Sequence, residues 1–224
     1  MQDLTLIIPA KNEPESLPYT LMQLEKLNLN YIIVMGKSDF TTINAVEKFK
    51  SKIIFQNNKG YGDAIIFGLQ NVKTKYFSII YADGSTDPNE IPKFYDELKE
   101  KNLDLLFGTR YSKNGGSEDD NFITYIGNKI FTFIGKFFFS LPITDILYTY
   151  VVGKTEKILN LNLKQTDYRF CVELPIKAKR KNLQISDIGS NEKKRIAGTK
   201  KVNELKDGFL ILMEMIYLFF NHNR

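Results

Sequence analysis

The sequence predicts an α/β fold built on a mostly parallel sheet, and three observations carry that expectation. Over the first half of the chain, short apolar runs of strand length alternate with segments of helical periodicity. That is the pattern of a sheet covered by helices on both faces. Polar residues cluster just beyond the runs, at the strand carboxyl ends, where such sheets bind ligands. Finally, 224 residues, 43% hydrophobic and 25% charged, suffice for one large domain, or two lobes sharing a core.

The elements follow in order. Residues 4–8 are an apolar run ended by Pro9, a buried-strand signature. Asn12 then reads as a helix cap with Pro14 in the first turn, and Leu17, Leu21 and Leu24 repeat at helical spacing. Residues 31–35 form a second strand, 42–50 a helix and 52–55 a third strand. Residues 57–62 make a turn-rich loop leading into a helix with Ile65, Leu69 and Val72 on one face. Residues 76–81 are a fourth strand. Asp87 caps the next helix, with Pro88 at its first position and Ile91, Phe94 and Leu98 facing inward. Residues 103–109 are a fifth strand.

The second half changes character. Residues 112–121 (SKNGGSEDDN) hold no apolar side chain and read as a mobile loop and lobe boundary, dividing 1–111 from 112–224. Residues 126–153 are dense in Phe and Tyr, and 209–220 are apolar apart from Glu214. Both read either as buried helices of the second lobe or as segments lying in a membrane interface. Between them come a Lys/Asn-rich stretch, a helix over 171–180, a strand over 183–188 and a basic stretch over 192–201. No uncharged apolar run reaches 18 residues, so no transmembrane helix is expected. The amino terminus has no signal-peptide pattern.

Small counts exclude much chemistry. One His, one Cys and no Trp leave no internal disulfide, no Cys-rich zinc site and no Cys-His pair. The single His222 sits two residues from the carboxyl end of the sequence, where chains tend to fray, so a Ser-His-Asp triad is not expected. The lone thiol suits a reducing cytoplasm. A net charge of +5 is modest and no basic-aromatic module appears, so nucleic acid is not an expected partner. What remains is carboxylates, Arg, Lys, hydroxyls and backbone amides, a set suited to phosphates and hard metals.

Four motifs supply that set. Tyr81-Ala82-Asp83-Gly84 puts a carboxylate at a strand end, able to hold a divalent cation against a diphosphate; alone it is equally an Asp-Gly turn. Pro9-Ala10-Lys11-Asn12-Glu13 offers backbone amides and a carboxylate where strand turns to helix, or is simply a helix start. The 57–64 loop, containing Lys59 and Gly60, allows close backbone approach to a ligand, or is a plain turn. Arg110, and Arg195 with Lys200, suit phosphate charge, although 193–201 in isolation reads as a solvated basic loop.

In sequence order, LTLIIPAKNEPESL, NKGYGDAIIFGL, YADGSTDPNEIP, DLLFGTRY and EKKRIAGTKK resemble family 2 glycosyltransferases of the GT-A fold. The nearest branch looks like the dolichyl/polyprenyl-phosphate sugar transferases and their soluble bacterial relatives, and the resemblance covers roughly residues 3–212. It implies a Rossmann-like nucleotide-binding mixed sheet flanked by helices, with a helical, aromatic acceptor-side lobe at the carboxyl end. It also implies a UDP- or GDP-linked sugar donor, Mg²⁺ or Mn²⁺, inverting transfer, and a polyprenyl-phosphate or glycan acceptor. The setting would be surface-glycan synthesis on the cytoplasmic side of a membrane, with an anionic membrane surface as a further partner.

By position, the resemblance makes Pro9, Ala10, Asn12, Glu13, Lys59, Gly60 and Ala82 donor contacts. Asp83 becomes the metal ligand, matching the second Asp of D-x-D. Arg110 matches G-[ST]-R-Y, and Arg195, Gly198, Thr199 and Lys200 match R-x-x-G-[ST]-K. Asp145 and Glu173 are the candidate bases, or alternatively caps and ion-pair partners. Two positions depart from the pattern: Tyr81 stands where the first Asp belongs, and the acid ending strand two is absent, with Asp39 a substitute. Tyr81 also keeps open a catalytically silent nucleotide-sugar-binding or scaffold protein.

Overall fold

The computed structural model describes residues 1–49 and 51–221; His222, and Lys50 at the end of the expected 42–50 helix, lie outside the described residues. In chain order the elements begin β1 (Leu4–Pro9), α1 (Ser16–Lys26), β2 (Asn30–Met35), α2 (Phe40–Val46), β3 (Lys52–Phe55), α3 (Tyr61–Asn71) and β4 (Tyr76–Ile79). A 3₁₀ turn at Pro88–Glu90 leads into α4 (Ile91–Glu100), β5 (Leu105–Thr109), β6 (Gly116–Ser117), α5 (Phe122–Phe139), β7 (Val151–Lys154) and α6 (Thr155–Leu159). The chain closes with α7 (Phe170–Arg180), β8 (Ile185–Gly189), β9 (Asn191–Glu192) and α8 (Glu204–Phe220).

Seven strands form one sheet in the order β3-β2-β1-β4-β7-β5-β8. All neighbours are parallel except β7, which runs antiparallel to both β4 and β5. Side chains alternate across the sheet as the strand period requires. Ile7, Val34, Phe77, Ile79 and Phe107 face a core under α3 and α7. Leu6, Ile8, Ile33 and Met35 face a second core under α1 and α4. The parallel strands all end at one edge, so residues distant in sequence meet there.

Several expectations need correction. Asn12 does not cap α1: it sits in the left-handed region at φ +53, and the helix starts at Ser16. Its N–H is already taken by the Asp39 carboxylate at 2.6 Å, which fixes a turn before the helix. The 112–121 segment is not a free loop. β6 pairs with β9, and Ser117, Asp119 and Asp120 bond to Glu192, Arg195 and Arg110 respectively. The aromatic stretch splits in two. Residues 141–150 are largely buried, with Tyr148 and Tyr150 in the core, whereas α5 turns Phe122, Phe133 and Phe137 outward. Within that stretch lies β7, a strand the composition hid.

Candidate active site

The edge of the sheet gathers the first cluster. After β1, Ala10 donates to the Val34 carbonyl, and the chain turns through Asn12 and Glu13. Asp39 holds this turn, accepting from the Asn12 N–H, the Thr42 N–H at 3.3 Å and the Thr41 hydroxyl at 3.2 Å. Burial pushes the Asp39 carboxyl up, but these hydrogen bonds outweigh it and hold the group below the usual carboxylate range. Glu13 accepts from the Ser16 hydroxyl at 2.6 Å and pairs with Lys201 at 3.1 Å.

After β4, Ala82 is buried and Asp83 points into the same edge. One Asp83 oxygen accepts from the Ser85 N–H at 3.0 Å and the Ser85 hydroxyl at 2.7 Å. The other faces the Arg195 guanidinium at 3.7 Å. The strap carrying Arg195 lies on this loop, because the Ile196 N–H donates to the Asp83 carbonyl and the Lys193 N–H to that of Ser85. Gly84, at φ +78, is required there: a Cβ would overlap the Ile196 side chain. Arg195 also pairs with Asp119 at 2.6 Å. Burial raises the Asp119 carboxyl, yet Arg195 outweighs it and brings the group below its usual value. Lys200 turns to Glu204 at 3.0 Å, and Lys59 is exposed in the turn before α3. Gly60 caps α3 at φ +127, where a Cβ would overlap the Thr166 carbonyl oxygen.

Tyr81 does not replace a carboxylate. Its hydroxyl accepts from the Thr149 N–H at 2.9 Å, its ring packs edge-on to Tyr148, and burial pushes its phenol far up. It stays a neutral structural side chain. Asp83 is therefore the one acid of the motif, and among the described residues no group of three or more His, Cys, Asp or Glu is placed to hold a metal. Asp83 alone still fits a hard cation that takes its remaining ligands from diphosphate oxygens and water, as Mg²⁺ commonly does.

The remaining candidates, Arg110, Asp145 and Glu173, have enclosed side chains. Arg110 grips Asp145 through Nε at 2.7 Å and Nη2 at 3.0 Å, with the Arg110 N–H adding a bond at 3.2 Å. It also meets Glu192 at 3.0 Å and Asp120 at 3.3 Å, and stacks on Tyr148. Burial opposes the charge of Arg110, but Asp145 outweighs it and holds the guanidinium well above its ordinary value. Burial raises the Glu192 carboxyl. Glu173, only 1% exposed, accepts from the Lys164 and Gln165 N–H groups and pairs with Lys177 at 2.7 Å. It pins the backbone before α7 and meets none of the other candidates. Cys171 is buried, its thiol pushed up to about 12 by that burial, which leaves it inert.

Sequence reasoning missed Asp119, Asp120 and Lys201. The adjacent acids of SEDDN and the second Lys of GTKK were visible, but Asp119 finds Arg195 76 residues on and Lys201 pairs with Glu13 at the other end of the chain, while Asp120 meets Arg110 only because the segment folds back.

A family model described as glycosyl transferase family 2 matches residues 5–159. Uncharacterized glycosyltransferases of Mycobacterium bovis and Mycobacterium tuberculosis are each 25% identical over 207 residues, 92% of this chain and 93% of theirs. An uncharacterized protein of Methanocaldococcus jannaschii is 37% identical over 121 residues, 48% of this chain and 52% of its own. Among solved structures, glucosyl-3-phosphoglycerate synthase of Mycobacterium tuberculosis in complex with Mn²⁺, UDP-glucose and phosphoglyceric acid has a TM-score of 0.78 at 13% identity. That match covers 97% of this chain and 79% of the other. The same enzyme with Mg²⁺ and UDP has a TM-score of 0.75 at 14% identity, covering 96% and 78%. The likeness establishes the GT-A fold, a mixed sheet flanked by helices.

Proposed function

The chain belongs to glycosyl transferase family 2 and is a glycosyltransferase; we propose that it moves a sugar, with inversion, from a UDP- or GDP-linked donor to a polyprenyl phosphate. One observation carries the donor half: Asp83 faces Arg195 at 3.7 Å while Glu13 pairs with Lys201, all at the edge where β1 and β4 end. The donor nucleotide lies along Pro9, Ala10, Asn12, Glu13, Lys59, Gly60 and Ala82, with Asp39 holding the turn. Its diphosphate replaces Asp119, Glu204 and Glu13 as the partner of Arg195, Lys200 and Lys201 respectively. Mg²⁺ or Mn²⁺ would be held by the Asp83 carboxylate, through the oxygen that faces Arg195 at 3.7 Å, and would supply charge neutralisation. The synthase likened above, solved with Mn²⁺ and UDP-glucose, supports this reading.

The acceptor half rests on the carboxylates. Asp145 and Glu173 are both buried and paired with Arg110 and Lys177, so neither presents an unpartnered carboxylate to an acceptor hydroxyl. A hydroxyl acceptor needs a base. An ionised phosphate does not, and this favours polyprenyl phosphate over a glycan hydroxyl. Its oxygen attacks the sugar C1, the bond from C1 to the donor phosphate breaks, and the electron pair leaves with the nucleoside diphosphate. Cationic stabilisation of that leaving charge by Arg195 and Lys200 is the largest contribution expected from the protein. Arg110, Asp145 and Glu173 act as structural residues, paired within the protein. In this reading 1–111 binds the donor, 112–224 serves the acceptor, and the reaction lies on the cytoplasmic face of a membrane in surface-glycan synthesis.

The test is a thermal-shift panel of UDP-, GDP-, dTDP- and CMP-linked sugars with and without Mn²⁺, followed by transfer from the stabilising donor to a short-chain polyprenyl phosphate. Stabilisation by a UDP- or GDP-sugar, enhanced by Mn²⁺, is expected. If no sugar nucleotide stabilises the protein, the donor site is misassigned; transfer only to a glycan hydroxyl contradicts the acceptor reading.

A further inference from the structure

Helices α5 and α8 carry large apolar side chains on the faces turned away from the protein, where core helices are polar. The buried face of α5 carries Asn128, Thr132 and Gly135, and that of α8 carries the acid Glu214 beside Ile211, Met215 and Leu218. The reason lies beneath them. The Thr132 hydroxyl accepts from the Ile146 N–H at 3.2 Å, the Asn128 amide reaches Asp145 and Arg110, and Gln165 donates to Glu214 at 2.9 Å. The outer faces are apolar. Of the 23 exposed large apolar side chains among the described residues, sixteen lie on these two helices, eight on each.

The two helices lie side by side and parallel. At their amino ends the Asn121 amide donates to Glu204 at 3.2 Å, and at their carboxyl ends the Phe138 and Phe219 rings meet edge-on at 5.5 Å. Each helix is about 27 Å long or slightly less, so together they present an apolar face on the order of 500 Å². A patch that large on a monomer marks an interaction site.

We propose that this two-helix face seats the protein on an anionic lipid bilayer, lying in the headgroup region rather than crossing it. Charge complementarity selects the occupant. α5 carries Lys129 and Lys136 and no acid, and beyond Asp207 the only acid of α8 is the buried Glu214. At the far end Arg180 donates to the Leu218 and Asn221 carbonyls and lies over Phe139, with Lys179 and Lys181 beside it in sequence. Anionic headgroups answer such a cationic border. A second copy of this chain does not, because the only acids of the two helices besides buried Glu214 are Glu204, already paired with Lys200, and Asp207, which accepts from the Asn203 N–H. Among the described residues no helix is long and apolar enough to cross a membrane, which leaves the interfacial mode.

The placement ties docking to chemistry. α8 starts four residues after Lys200, and α5 starts three residues after Asp119, the partner of Arg195. Seating the face on a bilayer therefore brings the candidate active site to headgroup depth, where a lipid-linked phosphate is presented. The inference takes its purpose from the lipid-phosphate acceptor proposed above, but its test does not depend on that reading.

The test is co-sedimentation of the full chain with vesicles of phosphatidylglycerol mixed with phosphatidylcholine, and with phosphatidylcholine alone, at low salt. The wild type is expected to pellet with the anionic vesicles. Phe133 and Phe209 are 64% and 62% exposed, so the double variant F133E/F209E folds normally. It should lose at least about tenfold in vesicle partition while keeping its melting temperature and its stabilisation by a sugar nucleotide. K129E/K136E should weaken binding to the anionic vesicles only. A wild type that stays in the supernatant, an F133E/F209E that pellets equally, or a dimer broken by F133E without vesicle binding overturns the proposal. Transfer without vesicle binding would sink the docking face alone; vesicle binding without transfer would sink the acceptor reading alone.

Discussion

Asp145→Asn separates a structural acid from a catalytic one. Asp145 is 0% exposed and takes three hydrogen bonds from Arg110, at 2.7, 3.0 and 3.2 Å. Arg110 is itself buried, so neutralising Asp145 leaves a charge inside the protein with weaker company. Breaking a buried pair typically costs about 3–5 kcal/mol. Here Glu192 at 3.0 Å and Asp120 at 3.3 Å remain, and the amide oxygen keeps one bond. The low end, about 3 kcal/mol, is therefore expected. For a chain of this size that lowers the melting temperature by about 6–12 °C. The assay is urea and thermal denaturation of both proteins, with turnover of the variant expressed per folded molecule. The expected result is a large loss of stability with kcat within about threefold of wild type. A variant that melts within about 1 °C of wild type while kcat falls by about 100-fold or more, the signature of a lost general base, would refute the structural assignment.

The other predictions concern the donor edge. Because hydrogen bonds hold the folded Asp39 carboxyl below its unfolded value of about 3.9, its contribution is complete above that value and is lost as pH falls through the folded one. Urea midpoints at pH 5 and pH 3 should show a smaller acid-induced drop in Asp39→Asn than in wild type, and a loss of about 1–3 kcal/mol at pH 5. Gly60→Ala should cost about 1–3 kcal/mol in denaturation, because its φ of +127 and the Thr166 carbonyl leave no room for a Cβ. Gly127→Ala, whose Cβ meets nothing within 4 Å in the middle of α5, should instead stabilise by about 0.5–1 kcal/mol. Tyr81→Phe removes the acceptor of the Thr149 N–H and should cost about 1 kcal/mol while leaving kcat unchanged. A large fall in kcat there would mean that the Tyr81 hydroxyl serves the reaction.

Local patterns in the sequence revealed what they could determine. The runs at 4–8, 31–35 and 52–55 became β1, β2 and β3 almost to the residue, because buried parallel strands need continuous apolar runs. The convergence of Glu13, Asp39 and Asp83 at one edge followed from the α/β topology. Long-range pairing hid the rest. β7 is four residues inside an aromatic stretch, and only its insertion between β4 and β5 makes it a strand. The polar 112–121 segment looked free because its partners, Glu192 and Arg195, lie far downstream. Asp145 carried no local sign that it faces a cation in a closed interior, whereas Glu173 has Lys177 four residues on along the same helix. For α5 and α8 the sequence left two readings open, buried helix or membrane-interface segment, because periodicity locates an apolar stripe but not whether the core or the solvent lies beneath it.

The central claim is that Asp83 and Arg195 form a diphosphate site at the end of β4. It is tested most directly by calorimetric titration of the stabilising sugar nucleotide into wild type and Asp83→Asn, with and without Mn²⁺. Asn at this position still accepts from Ser85, so the fold should be preserved. The account predicts that Mn²⁺ tightens donor binding to wild type, and that Asp83→Asn loses at least about tenfold of that metal-dependent affinity with its melting temperature unchanged. An Asp83→Asn protein that binds the donor with the same affinity and the same response to Mn²⁺ as wild type would contradict it.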